Sequence, residues 1–249
     1  MNPSKKFSLS RAGASNISTN KQRGLAMGSR SIRIFMLTTL VLCIPIAGAQ
    51  SSPQSADEVN CHPVSQRTSE LGCWILADQP VGSLTESQAF WHIDTYPTQE
   101  AANAAKGTRG AVVTSFGKTW LLTIETSEWH SPAGGKHIAT IGPLPRLPAD
   151  KYVATYMEGV FTPGMKSAIH DHPGPEIFYT MTGDICLESP TGISLGRSSS
   201  PPVIIPGGVP MQLTATGTEK RQGLTLILHD ASKPSGHPVH DWTPKGLCK

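Results

Sequence analysis

Residues 164–183 read GMKSAIHDHPGPEIFYTMTG, and this stretch decides both the fold and the expected chemistry. Side chains two apart on a strand share one face, so His170 and His172 are expected to point the same way. The Pro-Gly-Pro sequence at 173–175 favours a turn that brings Glu176 back opposite the two histidines. Two imidazoles and one carboxylate that converge can hold a divalent metal ion and leave coordination positions open. The stretch therefore predicts an open metal site.

The same stretch resembles the first sequence motif of the cupins, G-x5-H-x-H-x3-E-x6-G, at every fixed position. The second cupin motif has the core P-x-G-x-x-H, and residues 206–211 read PGGVPM, which supplies the proline and the glycine at the right spacing. Met211 stands where the pattern has a third histidine, and Ala215 where it often has an asparagine. The two segments cover about residues 151–229, and the C-terminal region is similar to small exported bacterial cupins with no assigned reaction.

This resemblance implies an all-β fold, the cupin double-stranded β-helix or jelly-roll barrel, with an N-terminal extension and one short helix. Runs rich in β-branched and aromatic residues, separated by Gly or Pro, favour the same fold. We expect strands at residues 73–77, 111–116, 119–125, 137–141 and 152–161, and in the motif region at 167–171, 177–181, 185–188, 203–205, 211–216 and 224–228.

The one predicted helix covers residues 98–107, because Thr98 can cap its start and Gly107 can end it. No internal repeat indicates a second cupin domain. We therefore expect a single cupin domain over residues 71–249 with its motif core at 151–229, in which residues 70–150 extend and cover the barrel. Residues 197–202 are expected to form an exposed loop.

The first 49 residues are typical of a leader that ends in a secretory signal peptide. They contain seven Lys or Arg and no Asp or Glu, and an apolar run at 34–46 precedes a small-x-small site that predicts cleavage between Ala49 and Gln50. A membrane anchor is disfavoured, because the run is shorter than the ~20 residues that cross a bilayer. The protein is thus expected to be exported, to the periplasm or the extracellular space. Residues 50–70 indicate a flexible tether.

Removing the seven positive charges of the leader from the formal charge of +3 leaves about −4 for the mature chain. A mildly acidic protein without a basic patch is not expected to bind nucleic acid, and after leader cleavage it is not expected to bind a membrane. Outside the leader the chain has four cysteines, which suits two disulfides in an oxidising compartment but allows three pairings. We favour Cys61 with Cys73 and Cys186 with Cys248; buried free thiols are the alternative.

The expected cofactor is one divalent metal ion, Fe, Mn or Zn, held by His170, His172 and Glu176. Met211 is expected in the pocket wall, because a thioether is a soft, weak ligand beside two imidazoles and a carboxylate. His229 is an alternative source of the missing ligand. Strand parity places Phe178 and Thr180 on the same face as Glu176. Together with Met211 and His229 they are the candidate substrate-binding residues, although the sequence does not show which way His229 points.

These features suit a metal-dependent enzyme that acts on a small organic substrate, most simply a dioxygenase. Isomerase or hydrolase chemistry at the same metal fits almost as well, and no distinct general base indicates which residues are catalytic. The alternative is a non-catalytic module that binds a small molecule or a metal. A purely structural role would leave the His/Glu cluster unexplained. The expected partner is a small-molecule ligand, and a homodimer stays open.

Overall fold

The structure is a computed structural model that describes residues 58–146 and 148–249. The predicted leader, its cleavage site and the first part of the predicted tether lie outside the described residues. The N-terminal half contains the helix α1 (Gln99–Ala105) and the strands β1 (Glu58–Val59), β2 (Cys61–Pro63), β3 (Gly72–Gly82), β4 (Phe90–Tyr96), β5 (Gly110–Ser115), β6 (Lys118–Glu125) and β7 (Lys136–Ile141).

The C-terminal half is built from strands alone, apart from its turns and loops, in the described part of the chain. They are β8 (Tyr152–Phe161), β9 (Lys166–Ser167), β10 (His170–Asp171), β11 (Glu176–Thr182), β12 (Asp184–Ser189), β13 (Gly192–Arg197), β14 (Val203–Ile205), β15 (Gln212–Thr216), β16 (Arg221–Asp230) and β17 (His237–Pro238). Most of the strand pairs are antiparallel; β1 with β9 and β2 with β3 are parallel.

Two sheets form the barrel that carries the motifs. One has the strand order β14-β11-β16-β8-β3-β2, and the other has the order β1-β9-β15-β12-β13. Their facing side chains make two apolar clusters, one around Phe178, Ile185 and Leu187 and the other around Met157 and Ile227. Because successive strand residues point to opposite faces, only every second residue of each strand faces the barrel interior. The expected all-β cupin barrel is confirmed.

A third sheet, with the order β5-β6-β4-β7, packs on the outer face of the six-stranded sheet. On β16 the residues Leu224, Leu226 and Leu228 point away from the barrel and are buried against this sheet, together with Trp91 and Trp120. Full burial of a large apolar side chain contributes about 1.5–3 kcal/mol, so this second core is a substantial part of the stability. The third sheet belongs to the N-terminal extension.

The predicted helix is present, but its end differs from the expectation. The Thr98 side chain accepts a hydrogen bond from the Ala101 N–H at 3.2 Å, so it caps α1 as predicted. The helix ends at Ala105, and Lys106 already has extended backbone angles. Gly107 does not adopt the left-handed conformation of a helix-ending glycine, so its predicted role was wrong.

Several strand predictions are confirmed and others need correction. The strands at 152–161 and 203–205 have the predicted bounds. The predicted strand 167–171 is split into β9 and β10, and β4 and β13 were missed. Strand β13 has exposed Ile193 and Leu195 on an edge, between glycines at 192 and 196, which obscured its pattern. Its last residue, Arg197, is the first of the predicted loop.

The second part of the predicted tether is not a free linker. From Glu58 onwards the backbone pairs with β9 and then with β3, and Cys61 forms a disulfide with Cys73. The second disulfide joins Cys186 to Cys248. Both favoured cysteine pairings are confirmed. Among the helices that the structure describes, none is long and apolar enough to cross a membrane.

Candidate metal centre

The first motif is carried by a short strand, a turn and the start of a long strand. His170 begins β10, His172 follows that strand, and Glu176 begins β11. The backbone of His170 pairs with Met211, through His170 N to Met211 O at 3.1 Å and Met211 N to His170 O at 2.8 Å. At the turn, a Cβ on Gly174 would lie 1.9 Å from the carbonyl oxygen of Leu228, so only glycine fits there.

The three predicted ligands come together inside the barrel. Their nearest ligand atoms, Nε2 of both histidines and a carboxylate oxygen of Glu176, all lie within 4.8 Å of one another. Glu176 Oε2 is 3.3 Å from His172 Nε2 and 4.0 Å from His170 Nε2. His172 and Glu176 are buried and His170 is half-buried. Neither His172 Nε2 nor Glu176 Oε2 makes an aligned hydrogen bond with any described residue.

Backbone carbonyls hold both imidazoles by their other nitrogen. His170 Nδ1 lies 2.7 Å from the carbonyl oxygen of Ala168, and His172 Nδ1 lies 2.6 Å from that of Ser235. A carbonyl oxygen can only accept, so each Nδ1 carries the proton and donates it. Each neutral imidazole then has its lone pair on Nε2, which faces the cluster. Histidine ligands of metals commonly have such outer partners, which fix the tautomer and the ring orientation.

The two histidines have opposite pKa shifts. Burial lowers the pKa of His170, and the nearby Glu176 carboxylate offsets this only in part. At His172 burial also acts to lower the pKa, but the closer Glu176 carboxylate outweighs it and the pKa is raised. A proton on His172 therefore competes with a cation for the same carboxylate. Cation binding at this cluster would weaken as the pH falls.

The second motif lies directly against the first. Residues 206–211 connect β14 to β15, and the Gly208 N–H donates to the His172 carbonyl at 2.7 Å. A Cβ on Gly207 would lie 2.8 Å from the Gly174 Cα, so the two turns touch through their glycines. Both motif segments thus meet at one end of a two-sheet jelly roll, with the His/His/Glu cluster inside. The barrel has the cupin fold.

Solved cupin structures are similar to part of this chain. A cupin-like protein from Thermotoga maritima is 18% identical, over 34% of this chain and 64% of that one, with a TM-score of 0.32. A Cupin 2 conserved barrel domain protein from Salinispora arenicola is 26% identical, over 32% of this chain and 65% of that one, with a TM-score of 0.27. An oxalate oxidase in complex with the substrate analogue glycolate is 18% identical, over 35% and 46%, with a TM-score of 0.29.

This chain spans less than two thirds of the length of each of these three structures. Similarity of this extent says nothing about the substrate or the reaction. No protein-family model matches the chain, and no curated protein matches it. The chemistry of this chain therefore has to be argued from its own residues.

The ligand cluster opens into a cavity of about 350 Å³ within the cupin barrel. His170, His172 and Glu176 line it, and the segment from Ser235 to Pro238 covers one side. Most of its wall is apolar and comes from Ile75, Met157, Phe161, Phe178, Leu213 and Ile227. An apolar cup with a few convergent polar groups is typical of a small-molecule site.

The four candidate substrate-binding residues differ in their placement. Phe178 lines the cavity as expected, whereas Met211, Thr180 and His229 are not part of its lining. The Met211 side chain packs in the apolar cluster around Phe178. Its contribution to the site comes from its backbone, which holds His170 through two hydrogen bonds. Thr180 lies on the interior face two residues beyond Phe178, towards the far end of β11. His229 is the second-last residue of β16, whereas Thr180 pairs with Gly223 near the start of that strand. The Nε2 of His229 is 3.2 Å from Thr155 Oγ1.

Two features of the site were not predicted from the sequence. One is Arg221, which is buried at the start of β16 and lines the cavity. Its signal was the alternation on β16, where Leu224, Leu226 and Leu228 form one face and place Arg221 on the other. The other is the Ser235 carbonyl, which no sequence pattern could assign to His172, because a backbone carbonyl is common to every residue.

The C-terminal tail that carries Ser235 is fixed to the barrel at a second place. The buried carboxylate of Glu188 accepts hydrogen bonds from the N–H groups of Lys245 and Leu247, the latter at 2.8 Å. The disulfide between Cys186 and Cys248 anchors the same end of the tail to β12. The tail is therefore held on the barrel on both sides of its loop.

Proposed function

We propose that this chain is an exported cupin that binds one divalent metal ion through His170, His172 and Glu176 and uses it on a small organic substrate. The observation that carries the proposal is the arrangement of the imidazoles. Each donates its Nδ1 proton to a backbone carbonyl, so that both Nε2 lone pairs face a buried carboxylate oxygen that has no other partner among the described residues. A buried charge without a partner is costly, and a cation would satisfy it.

The donor set fits a divalent ion. Two imidazole nitrogens and one carboxylate oxygen suit Fe, Mn or Zn, and three protein ligands leave coordination positions open. When bound, the ion would supply Lewis acidity and open coordination positions, which is the chemistry that oxygenases and isomerases use. The residues of the chain would hold and orient the ion, and the apolar wall would exclude water from the substrate.

Two further observations bear on compartment and on catalysis. Two disulfides suit an oxidising compartment and so support export.

His237 lines the cavity, and its Nδ1 lies 3.3 Å from Asp171 Oδ1. This histidine is the residue best placed to move a proton to or from a substrate if the protein is an enzyme.

Metal analysis of natively exported protein, purified without a histidine tag, tests the proposal. We expect stoichiometric metal in the wild type, a sharp loss in His172→Ala and Glu176→Gln, and no loss in Met211→Leu, the matched control from the neighbouring core. Wild-type protein without metal, or equal metal loss in all three variants, would contradict the proposed ligand set.

Activity assays separate the enzyme from the binding module. Oxygen uptake is measured with panels of small phenols, acids and sulfur compounds, on the wild type and on His237→Asn. Turnover that is reduced in the variant at unchanged metal content would support an oxygenase. Bound metal without turnover across the panels would favour the module that only binds a ligand.

A further inference from the structure

A second charged group is buried in the metal cavity. The Arg221 side chain is only 1% exposed, and it lines the same cavity as His170, His172 and Glu176. Burial lowers the pKa of Arg221 to about 10, so the guanidinium is still charged at neutral pH. Arginine is rarely buried without a partner, because removing its charge from water is expensive. The groups around the guanidinium, and the N–H groups that they leave unpaired, therefore indicate which ligand it would bind.

The barrel wall has a recess that fits this guanidinium. Gly159 on β8 and Gly223 on β16 are register partners in adjacent strands. A Cβ on Gly159 would lie 2.5 Å from Arg221 Nη1, and a Cβ on Gly223 would lie 2.6 Å from Nη2. Glycine weakens the interior of a strand and often marks a close approach by another group. The two paired glycines therefore leave the space that the guanidinium occupies, which larger residues at either position would fill.

The hydrogen bonds of Arg221 are incomplete in a specific way. Nη1 donates to the Gly159 carbonyl at 3.3 Å, whereas Nε and Nη2 have no hydrogen-bond partner among the described residues. In the planar guanidinium, the N–H of Nε and one N–H of Nη2 point in the same direction along one edge. This edge matches the two oxygens of a carboxylate, which can accept both hydrogen bonds at once. The hydroxyl of Thr180, on the residue that pairs with Gly223, is also buried without a partner.

The charges in the cavity favour an anion. Histidines aside, Glu176 and Arg221 are the only ionisable residues among the described residues that line it. They do not form an ion pair with each other, so the carboxylate of Glu176 does not complete the coordination of Arg221. With a divalent ion at Glu176, the cavity would carry an excess of positive charge, which an anionic ligand would balance.

We propose that Arg221 anchors the substrate and that the substrate is a small carboxylate, whose two oxygens accept hydrogen bonds from Nε and Nη2. This proposal rests on the proposed metal function, because the rest of the substrate would extend from Arg221 toward a metal ion held at Glu176. Glu176 pairs with Ile227, and Gly223 beneath the guanidinium lies four residues earlier on β16. At ~3.3 Å per residue this is roughly 13 Å between the two backbone positions. The charged ends of Arg221 and Glu176 interact electrostatically across the cavity, so a small organic acid can reach from one to the other.

Binding of defined probes to the wild type tests the substrate class. Propanoate and benzoate are compared with propanamide and benzamide by calorimetry, on metal-free and metal-loaded protein, with inorganic phosphate as a second anion. Hydrogen bonds to charged groups contribute about 1.5–3 kcal/mol, so we expect each acid to bind at least about tenfold more tightly than its amide. No preference for the acids, or tighter binding of phosphate than of either acid, would overturn the proposal.

Variants test the role of the guanidinium itself. In Arg221→Gln we expect acid binding to weaken at least about tenfold while amide binding stays unchanged. Gly159→Ala places a methyl group 2.5 Å from Nη1 and 2.7 Å from the Phe161 ring, so the guanidinium has to shift, and acid binding should weaken with Arg221 still present. Gly107→Ala, which has no atom within 4 Å of the added Cβ, is the control. Unchanged acid binding in folded Arg221→Gln or Gly159→Ala would overturn the proposal.

Metal content is measured in the same samples, so the two proposals can fail separately. Loss of the acid preference with stoichiometric metal in every metal-loaded sample would reject the anchoring role and leave the metal site intact. An acid preference that depends on Arg221 in protein without metal affinity would reject the metal site instead. If Arg221→Gln does not fold, the acid and amide comparison in the wild type and in Gly159→Ala still decides the question.

Discussion

Replacing Gly236 by alanine tests whether the orientation of His172 controls metal binding. A Cβ on Gly236 would lie 2.9 Å from His172 Nδ1 and 3.1 Å from its Cε1. Ordinary contacts of a Cβ begin near 3.4 Å. The imidazole or the tail would therefore have to move by several tenths of an ångström. The ring is also held by its hydrogen bond to the Ser235 carbonyl at 2.6 Å, so a shift strains that bond.

Metal sites tolerate displacements of only about 0.5 Å, and disturbing the outer partner of a ligand typically lowers metal affinity by about 10–100-fold. We expect a loss of this size in Gly236→Ala. The measurement is competition with a fluorescent chelator for Zn(II) and for Mn(II), with thermal unfolding of the metal-free protein alongside.

Gly107→Ala is again the matched control, because it makes the same chemical change in open space. Neither glycine has a positive φ, so alanine can adopt the backbone at both positions. Gly236→Ala with metal affinity within about twofold of the control, at unchanged stability of the metal-free protein, would refute the reasoning.

Three further predictions concern stability. Cys248→Ser opens a loop with a sequence separation of 62 residues and should lower the free energy of unfolding by up to about 4 kcal/mol in urea titrations; no loss would mean that the Glu188 hydrogen bonds alone fix the tail. Thr98→Ala should cost about 1 kcal/mol by the same measurement, whereas Thr98→Ser keeps the cap and should cost little; equal losses would argue against capping. Burial lowers the pKa of His92 below its unfolded value near 6.5, so the unfolded chain binds more protons than the folded one as the pH falls through that value, and stability should fall with it. His92→Gln should flatten this pH dependence, and a profile identical to that of the wild type would contradict the assignment.

The sequence was sufficient wherever the deciding chemistry is local. Strand β8 is rich in β-branched and aromatic residues, and its bounds were predicted correctly. The cap of α1 depends only on Thr98 and the residues that follow it. Alternation over two residues placed Phe178 and Glu176 on one face, and the structure has both in the wall of one cavity.

The rest depends on contacts between distant parts of the chain. Strand β4 was missed, because the third sheet exists only when β4, β5, β6 and β7 pair and cover the outer leucines of β16. Met211 was expected to face the cavity, but the strand bridge with His170 leaves its side chain in the apolar core. The role of Arg221 becomes visible only when Gly159 and Gly223 are paired across two strands.

The carbonyl of Ser235 makes the orientation of His172 depend on the docking of the tail. Ser235 follows β16 and lies outside the long strands of the barrel, yet it is the partner that fixes the Nδ1 proton of His172. A change that loosens the tail would free His172 to carry its proton on either nitrogen and to rotate, even with every barrel strand in place. The tail is therefore a remote point from which the affinity of the cluster for a cation can be weakened without touching a ligand residue.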